Sequence, residues 1–259
     1  MRRRRSIGWI AFTCFWLSAR KLISRGFGIM RSFLIALVMT SITTLSLASP
    51  VTFEPYRATY TNRVDAAISF SGEAIRELKQ LNDQTWEISV EASAMMANIR
   101  ESSQIKLENG QILPLQYDYK RRILTRNREA QLRFDWDAGH VTTDIDDKPW
   151  RMAIKPGIHD KLSYQLQMPF DLKAGLTTLE YLVADGGQKQ VYRFQVTGED
   201  EVETPAGTFT AVRVERDRGE DSDRETLIWF APELDYLVVR LEQVEPNGNR
   251  FALLLKSVD

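Results

Sequence analysis

The chain has 259 residues, 34 Lys and Arg against 35 Asp and Glu, two histidines and one cysteine. Eight of the bases and none of the acids fall within residues 1–48, which leaves 26 bases against 35 acids, a net −9, in the remainder. That balance argues against general nucleic-acid binding, which needs a basic surface, and roughly 210 residues suffice for one well-filled core.

Residues 1–48 read as an N-terminal extension plus a secretory signal peptide. From Met30, "MRSFLIALVMTSITTLSLASP" has a short basic start, an apolar run from Phe33 and the small-residue ending Ser46-Leu47-Ala48. Cleavage is expected after Ala48. The run is too short and too rich in Ser and Thr for a membrane span of about 20 apolar residues. Met30 is the expected start; a long signal or a membrane-retained N-terminus is the alternative. Cys14 lies upstream of the cleavage point, so the exported, periplasmic chain has no thiol, disulfide or thiolate metal site. No stable membrane span is expected in it.

Residues 49–259 are expected to form a single β-rich domain. In chain order, apolar residues alternate with polar ones at the period of a half-buried strand. Trp86, Ile88, Val90, Ala92 and Ala94 share a face, as do Leu115, Tyr117 and Tyr119. The same holds for Leu132, Phe134 and Trp136, for Tyr192, Phe194 and Val196, and for Phe251, Leu253 and Leu255. Turn signals separate these runs at Asn82-Asp83, Asn109-Gly110, Ala138-Gly139, Gly186-Gly187, Pro205-Ala206-Gly207 and Asn247-Gly248. The pattern predicts an all-β, mainly antiparallel fold, curved or sandwiched, with no internal repeat.

Between the runs, "YKRRILTRNREAQLR" gathers Lys120, Arg121, Arg122, Arg126, Arg128 and Arg133 on two strands around an expected turn at Asn127. It reads as a solvated hairpin tip, or as a contact for anionic headgroups or an acidic partner. The acidic runs with Asp144, Asp146, Asp147 and with Glu220, Asp221, Asp223, Glu225 lack the spacing of a calcium loop. His140 and His159 sit in no two-histidine motif. No metal and no cofactor is expected.

"PGIHDKLSYQLQ" brings His159, Asp160 and Ser163 together. Leu162, Tyr164, Leu166, Met168 and Phe170 alternate as in a strand. Pro156-Gly157 and Asp160 instead resemble a helix start, with Leu162 and Leu166 on one face and Pro169 ending the element. In neither conformation can the three polar residues form a relay, because Asp160 points away from His159. The reading is structural: an Asp160 cap with Ser163 in the first turn.

"HDKLSYQLQ", "YRFQVTGEDEVETPAGTFTAVRVE" and "IWFAPELDYLVVRLEQ" resemble the domain of unknown function 3108 family of exported bacterial proteins. The matching positions are Asp160, Leu162 and Ser163; Gly198 and Glu201; Thr204, Pro205, Gly207 and Phe209; and Trp229, Tyr236 and Arg240. Val238 stands where members usually have proline. The resemblance implies a half-barrel-like sheet with one short helix begun by the "D-x-L-S" segment, similar to periplasmic carriers of lipoproteins and lipids. It implies no catalytic residues.

The structural motif residues nominated are thus Asp160, Leu162, Ser163, Pro205, Gly207, Trp229 and Tyr236. The expected function is a non-enzymatic envelope protein whose curved sheet binds an apolar or amphipathic, lipid-like molecule or an envelope partner. A scaffolding protein with a filled core is one alternative. An envelope hydrolase using paired carboxylates is the other.

Overall fold

The computed structural model describes residues 52–65, 70–94, 97–145, 148–219 and 222–259. The expected leader, with Cys14 and Met30, lies outside the described residues, as do Asp146, Asp147, Glu220 and Asp221.

Two antiparallel meanders flank one helix. The first comprises β1 (Tyr56–Asp65), β2 (Phe70–Gln80), β3 (Thr85–Ala94), β4 (Ala97–Glu108), β5 (Gln111–Ile123), β6 (Arg126–Asp135), β7 (His140–Ile145) and β8 (Lys148–Ala153). A two-residue strand, β9 (Ile158–His159), leads into helix α1 (Ser163–Lys173). The second meander comprises β10 (Thr178–Asp185), β11 (Gln188–Thr204), β12 (Gly207–Asp217), β13 (Glu225–Ala231), β14 (Leu237–Val244) and β15 (Arg250–Val258). β1 pairs with β15, so the meanders join into one sheet running from β8 to β9. Every described pairing is antiparallel except β9 with β10.

The sheet curls without closing. β9 comes to lie beside β5, which is not its ladder partner. Register shifts opposite Lys256, Leu115, Thr197 and Val239 mark bulges, each adding bend and twist to its strand. The bulge at Leu115 also corrects the sequence expectation for that strand. Ile112 and Pro114 are buried before it, Tyr117 after it, and Leu115 itself is the extra residue that switches the phase. The β5–β6 turn falls at Leu124-Thr125 rather than Asn127, with Leu124 at φ 54° and Asn127 paired with Arg122 in the ladder.

Helix α1 lies between the two halves of the curl. Leu162, Leu166 and Phe170 pack with Ile88, Ile105 and Leu132 of the first meander. Tyr164, Met168 and Leu172 pack with Tyr181, Phe194 and Phe230 of the second. Two residues along a helix turn it by about 200°. A period-two apolar pattern in a helix therefore yields two opposite apolar faces, and here both are covered. Pro169 does not end the element; the helix runs on to Lys173. Proline has no N–H to give to the Gln165 carbonyl, on the side of the helix that lines the cavities described next.

A third cluster sits behind β13. The far half of the β11–β12 hairpin, redirected by the Thr197 bulge, packs against β14 and β15, so Val202 and Ala211 meet Trp229, Ala231 and Leu255. β13 is buried on both sides: Ile228 and Phe230 in one cluster, Trp229 and Ala231 in the other.

Candidate functional site

Two cavities lie along α1 inside the curl. The first, about 290 Å³, is walled by Phe53, Tyr56, Leu78, Pro169, Phe170 and Leu234 among others. The second, about 270 Å³, is walled by Tyr60, Val90, Met168, Phe194, Ile228 and Leu253 together with Arg76, Glu101, Arg216 and Arg218. They share Arg76, Gln165, Phe230 and Val238 as a common wall. Together they fall in the size range of small-molecule sites, about 300–1,000 Å³, and their walls are mainly apolar with a few convergent polar groups, as such sites are.

The polar groups are held by specific bonds. Arg76 Nε donates to the Tyr56 hydroxyl at 2.8 Å, and its Nη1 donates to Gln165 Oε1 at 2.7 Å, tying β2 to α1. The Tyr117 hydroxyl donates to Glu101 Oε1 at 2.5 Å. Burial raises the Glu101 carboxyl above its ordinary pKa, against the lowering effect of that bond. Arg218 Nη2 donates to Thr226 Oγ1 at 3.0 Å, and the Arg216 guanidinium lies 3.7 Å over the Tyr192 ring.

Asp160, Leu162 and Ser163 are buried at the foot of the helix. Asp160 Oδ1 accepts from the backbone N–H of Leu162 and of Ser163, at 2.8 and 2.9 Å, and Ser163 Oγ accepts from the Asp160 N–H at 2.9 Å. These bonds lock the turn that leads into the helix; the N-cap position itself is Leu162, which makes no side-chain cap bond, so Asp160 is not the helix cap expected from the sequence. Asp160 Oδ2 also accepts from the Ser103 hydroxyl at 2.6 Å, linking the chain just past β9 to β4 across the unclosed side of the curl. His159 takes no part: its Nδ1 is buried without a partner, and the ring meets Tyr181 edge-on.

Pro205 and Gly207 form the tip of the β11–β12 hairpin, where Thr204 Oγ1 accepts from the Ala206 N–H and donates to the Gly207 carbonyl. Trp229 lies under that hairpin. Its Nε1 donates to Asp200 Oδ2 at 2.7 Å, Arg213 pairs with the same carboxylate at 2.9 Å, and the Arg240 guanidinium lies 4.7 Å over the indole. Tyr236, at φ 60°, lines the first cavity. The nominated residues thus divide among the helix foot, the back of the sheet and a cavity wall.

Sequence reasoning missed Arg76, Gln165, Glu101, Arg216 and Arg218. The signal was present: Arg76 continues the inward phase of Ala74 and Leu78, Glu101 that of Ser103 and Ile105, and Arg216 that of Val212 and Val214. A charged residue at an inward strand position is the feature to look for.

The basic β5–β6 hairpin projects Ile123 and Leu124, 40% and 60% exposed. Lys120 pairs with Glu129 and Arg133 with Asp118, each at 3.6 Å. Among the described residues, no group of three or more His, Cys, Asp or Glu is placed to hold a metal ion. No described helix is long and apolar enough to cross a membrane.

A single curved, non-closed, mainly antiparallel sheet around one helix, with cavities between, defines a half-barrel-like β-protein. The chain belongs to the family described as protein of unknown function (DUF3108), whose model matches residues 55–255. Among solved structures it is similar to a crystal structure of a β-barrel-like protein of domain of unknown function DUF1849 from Brucella abortus. The TM-score is 0.55 at 9% identity, over 81% of this chain and 98% of that one. At that identity the likeness is one of fold. No curated protein matches the chain.

Proposed function

We propose that this is an exported, periplasmic protein that binds an apolar or amphipathic molecule on the inner face of its sheet, within a single domain spanning residues 49–259. The observation that carries the binding reading is the pair of adjoining cavities with their common wall of Arg76, Gln165, Phe230 and Val238. A filled scaffold would bring helix and sheet into contact there. Export rests on the leader pattern from Met30 to Ala48.

Binding is tested on the full chain, expressed with its own leader, by saturable fluorescence of the neutral apolar reporter N-phenyl-1-naphthylamine. Native mass spectrometry of the protein as purified runs in parallel. Val238→Trp, which sets an indole into the wall shared by both cavities, is expected to weaken reporter binding at least about tenfold while circular dichroism is unchanged. A wild-type protein that neither binds the reporter nor carries a ligand would count against this function. Export is tested by N-terminal sequencing, which should begin at Ser49; an intact Met1 or Met30 would refute it.

A further inference from the structure

The second cavity holds more positive charge than its own wall balances. Arg76, Arg216 and Arg218 all line it, and Glu101 is the one carboxylate among its described lining residues. Among the described residues, none of these three arginines is within ion-pair distance of a carboxylate, whereas Arg193, Arg213, Arg224 and Arg240 each are. The bonds they do make are to neutral groups: Tyr56, Gln165 and Thr226. The Nε atoms of Arg216 and Arg218 are buried with no hydrogen-bond partner. Glu215, Asp217, Asp223 and Glu225 border an open pocket on the other side of Arg216 and Arg218, without pairing to either.

A guanidinium partly withdrawn from water with a buried donor left unpaired is costly, and a pre-placed pair of them next to an apolar hollow is complementary to an anion carrying an apolar tail. Arg suits this role through its planar fork of donors, which matches carboxylate and phosphate oxygens. Arg216 and Arg218 stand where the cavity meets the open pocket, and the apolar wall of Met168, Phe194, Ile228 and Leu253 leads inward toward Arg76.

We propose that the ligand is a single-chain amphiphile with an anionic head, a carboxylate or a phosphate, held at the cavity mouth by Arg216 and Arg218 with its tail along the inner sheet face. This rests on the ligand-binding reading above and names the chemistry of that ligand.

The test is displacement of N-phenyl-1-naphthylamine from the full chain by laurate, dodecyl phosphate and dodecanol, which share one tail, and by inorganic phosphate. We expect laurate, dodecyl phosphate or both to displace at concentrations at least about tenfold below dodecanol. The stronger of the two identifies the head. Inorganic phosphate should not displace. Arg216→Gln with Arg218→Gln should erase the preference for charged heads and leave dodecanol displacement in place. Equal displacement by dodecanol and the anions, or a preference that survives the double substitution, would overturn the anionic-head assignment while leaving ligand binding intact. Displacement by inorganic phosphate as strong as by dodecyl phosphate would overturn the placement of the tail. A reporter that never binds would instead remove the ligand-binding reading itself. If the double variant fails to fold, the wild-type preference for laurate or dodecyl phosphate over dodecanol still decides.

Discussion

Asp160 and His159 are adjacent in the chain, both buried, and shifted in opposite senses. Burial pushes the Asp160 carboxyl up from 3.8 to about 6, although Ser103, Ser163 and Leu162 all bond to it. Burial pushes the His159 imidazole down from 6.5 to about 4. Asp160 therefore contributes stability that is full below its ordinary pKa and is lost as pH rises through about 6. His159 contributes stability that is full above its ordinary pKa and is lost as pH falls through about 4. The two dependences oppose each other across the same window, each on the order of 1–3 kcal/mol. Relative to the wild type, Asp160→Asn should make stability rise more steeply with pH between about 4 and 6, and His159→Gln should make it fall. Urea midpoints across that range measure both, and slopes unchanged from the wild type in either variant would refute the assignment. The adjacency of these letters was legible in the sequence. Their environment was not, because Ser103 is 57 residues away and reaches Asp160 only once the sheet has curled.

At the scale of elements, the Thr197 bulge gives one hairpin two separate tasks. It divides β11–β12 into an inner part that walls the second cavity and an outer part folded behind β13. Gly198 follows the bulge at φ 149°, and a Cβ there would stand 3.3 Å from Arg213 Nη2. That guanidinium is not free to move, since Asp200 and Thr197 hold it. Gly198→Ala is expected to destabilise by roughly 1–3 kcal/mol, through backbone strain and displacement of Arg213. An unchanged thermal midpoint would sink this account. Strand periods and most turns at this scale could be read from alternation and from Asn-Gly or Gly-Gly pairs. Two features could not: the phase switch at Leu115, which a bulge creates only against its partner strand, and the persistence of α1 through Pro169, which two apolar faces buried against different halves of the sheet sustain.

For the whole molecule, the sheet has two unlike edges. At β8, Pro149 offers no N–H and Trp150, 59% exposed, is approached by the Gly186–Gly187 turn, so this edge is blunted without being buried. At β9, the chain is buried and Asp160 ties it to Ser103 on β4. Hydrogen exchange should therefore be fast in β7 and β8 and slow at the amides of Leu162 and Ser163. Exchange should be slowest in β1 and β15, where the two meanders join. Ser103→Ala is expected to speed exchange at Leu162 and Ser163 by at least about tenfold and to leave β8 unchanged. Uniform acceleration across the sheet would show that the Ser103–Asp160 bond is not a local clasp.

By itself, the sequence determined that this chain makes many antiparallel strands, because period-two burial and turn chemistry are local properties; the short helix was chosen over a strand only through the family resemblance. It also determined the family, through motifs whose order and spacing lie along the chain. Only the tertiary structure decided that the curl stays unclosed, that α1 is packed on both faces, and that Arg76, Arg216 and Arg218 meet beside an apolar hollow. Arg76 on β2 is far in sequence from Arg216 on β12 and Arg218 just past its end. Arg76 and Arg216 each read alone as one charged residue out of place in an inward row, and they become a site only because the sheet curls both strands around the same helix.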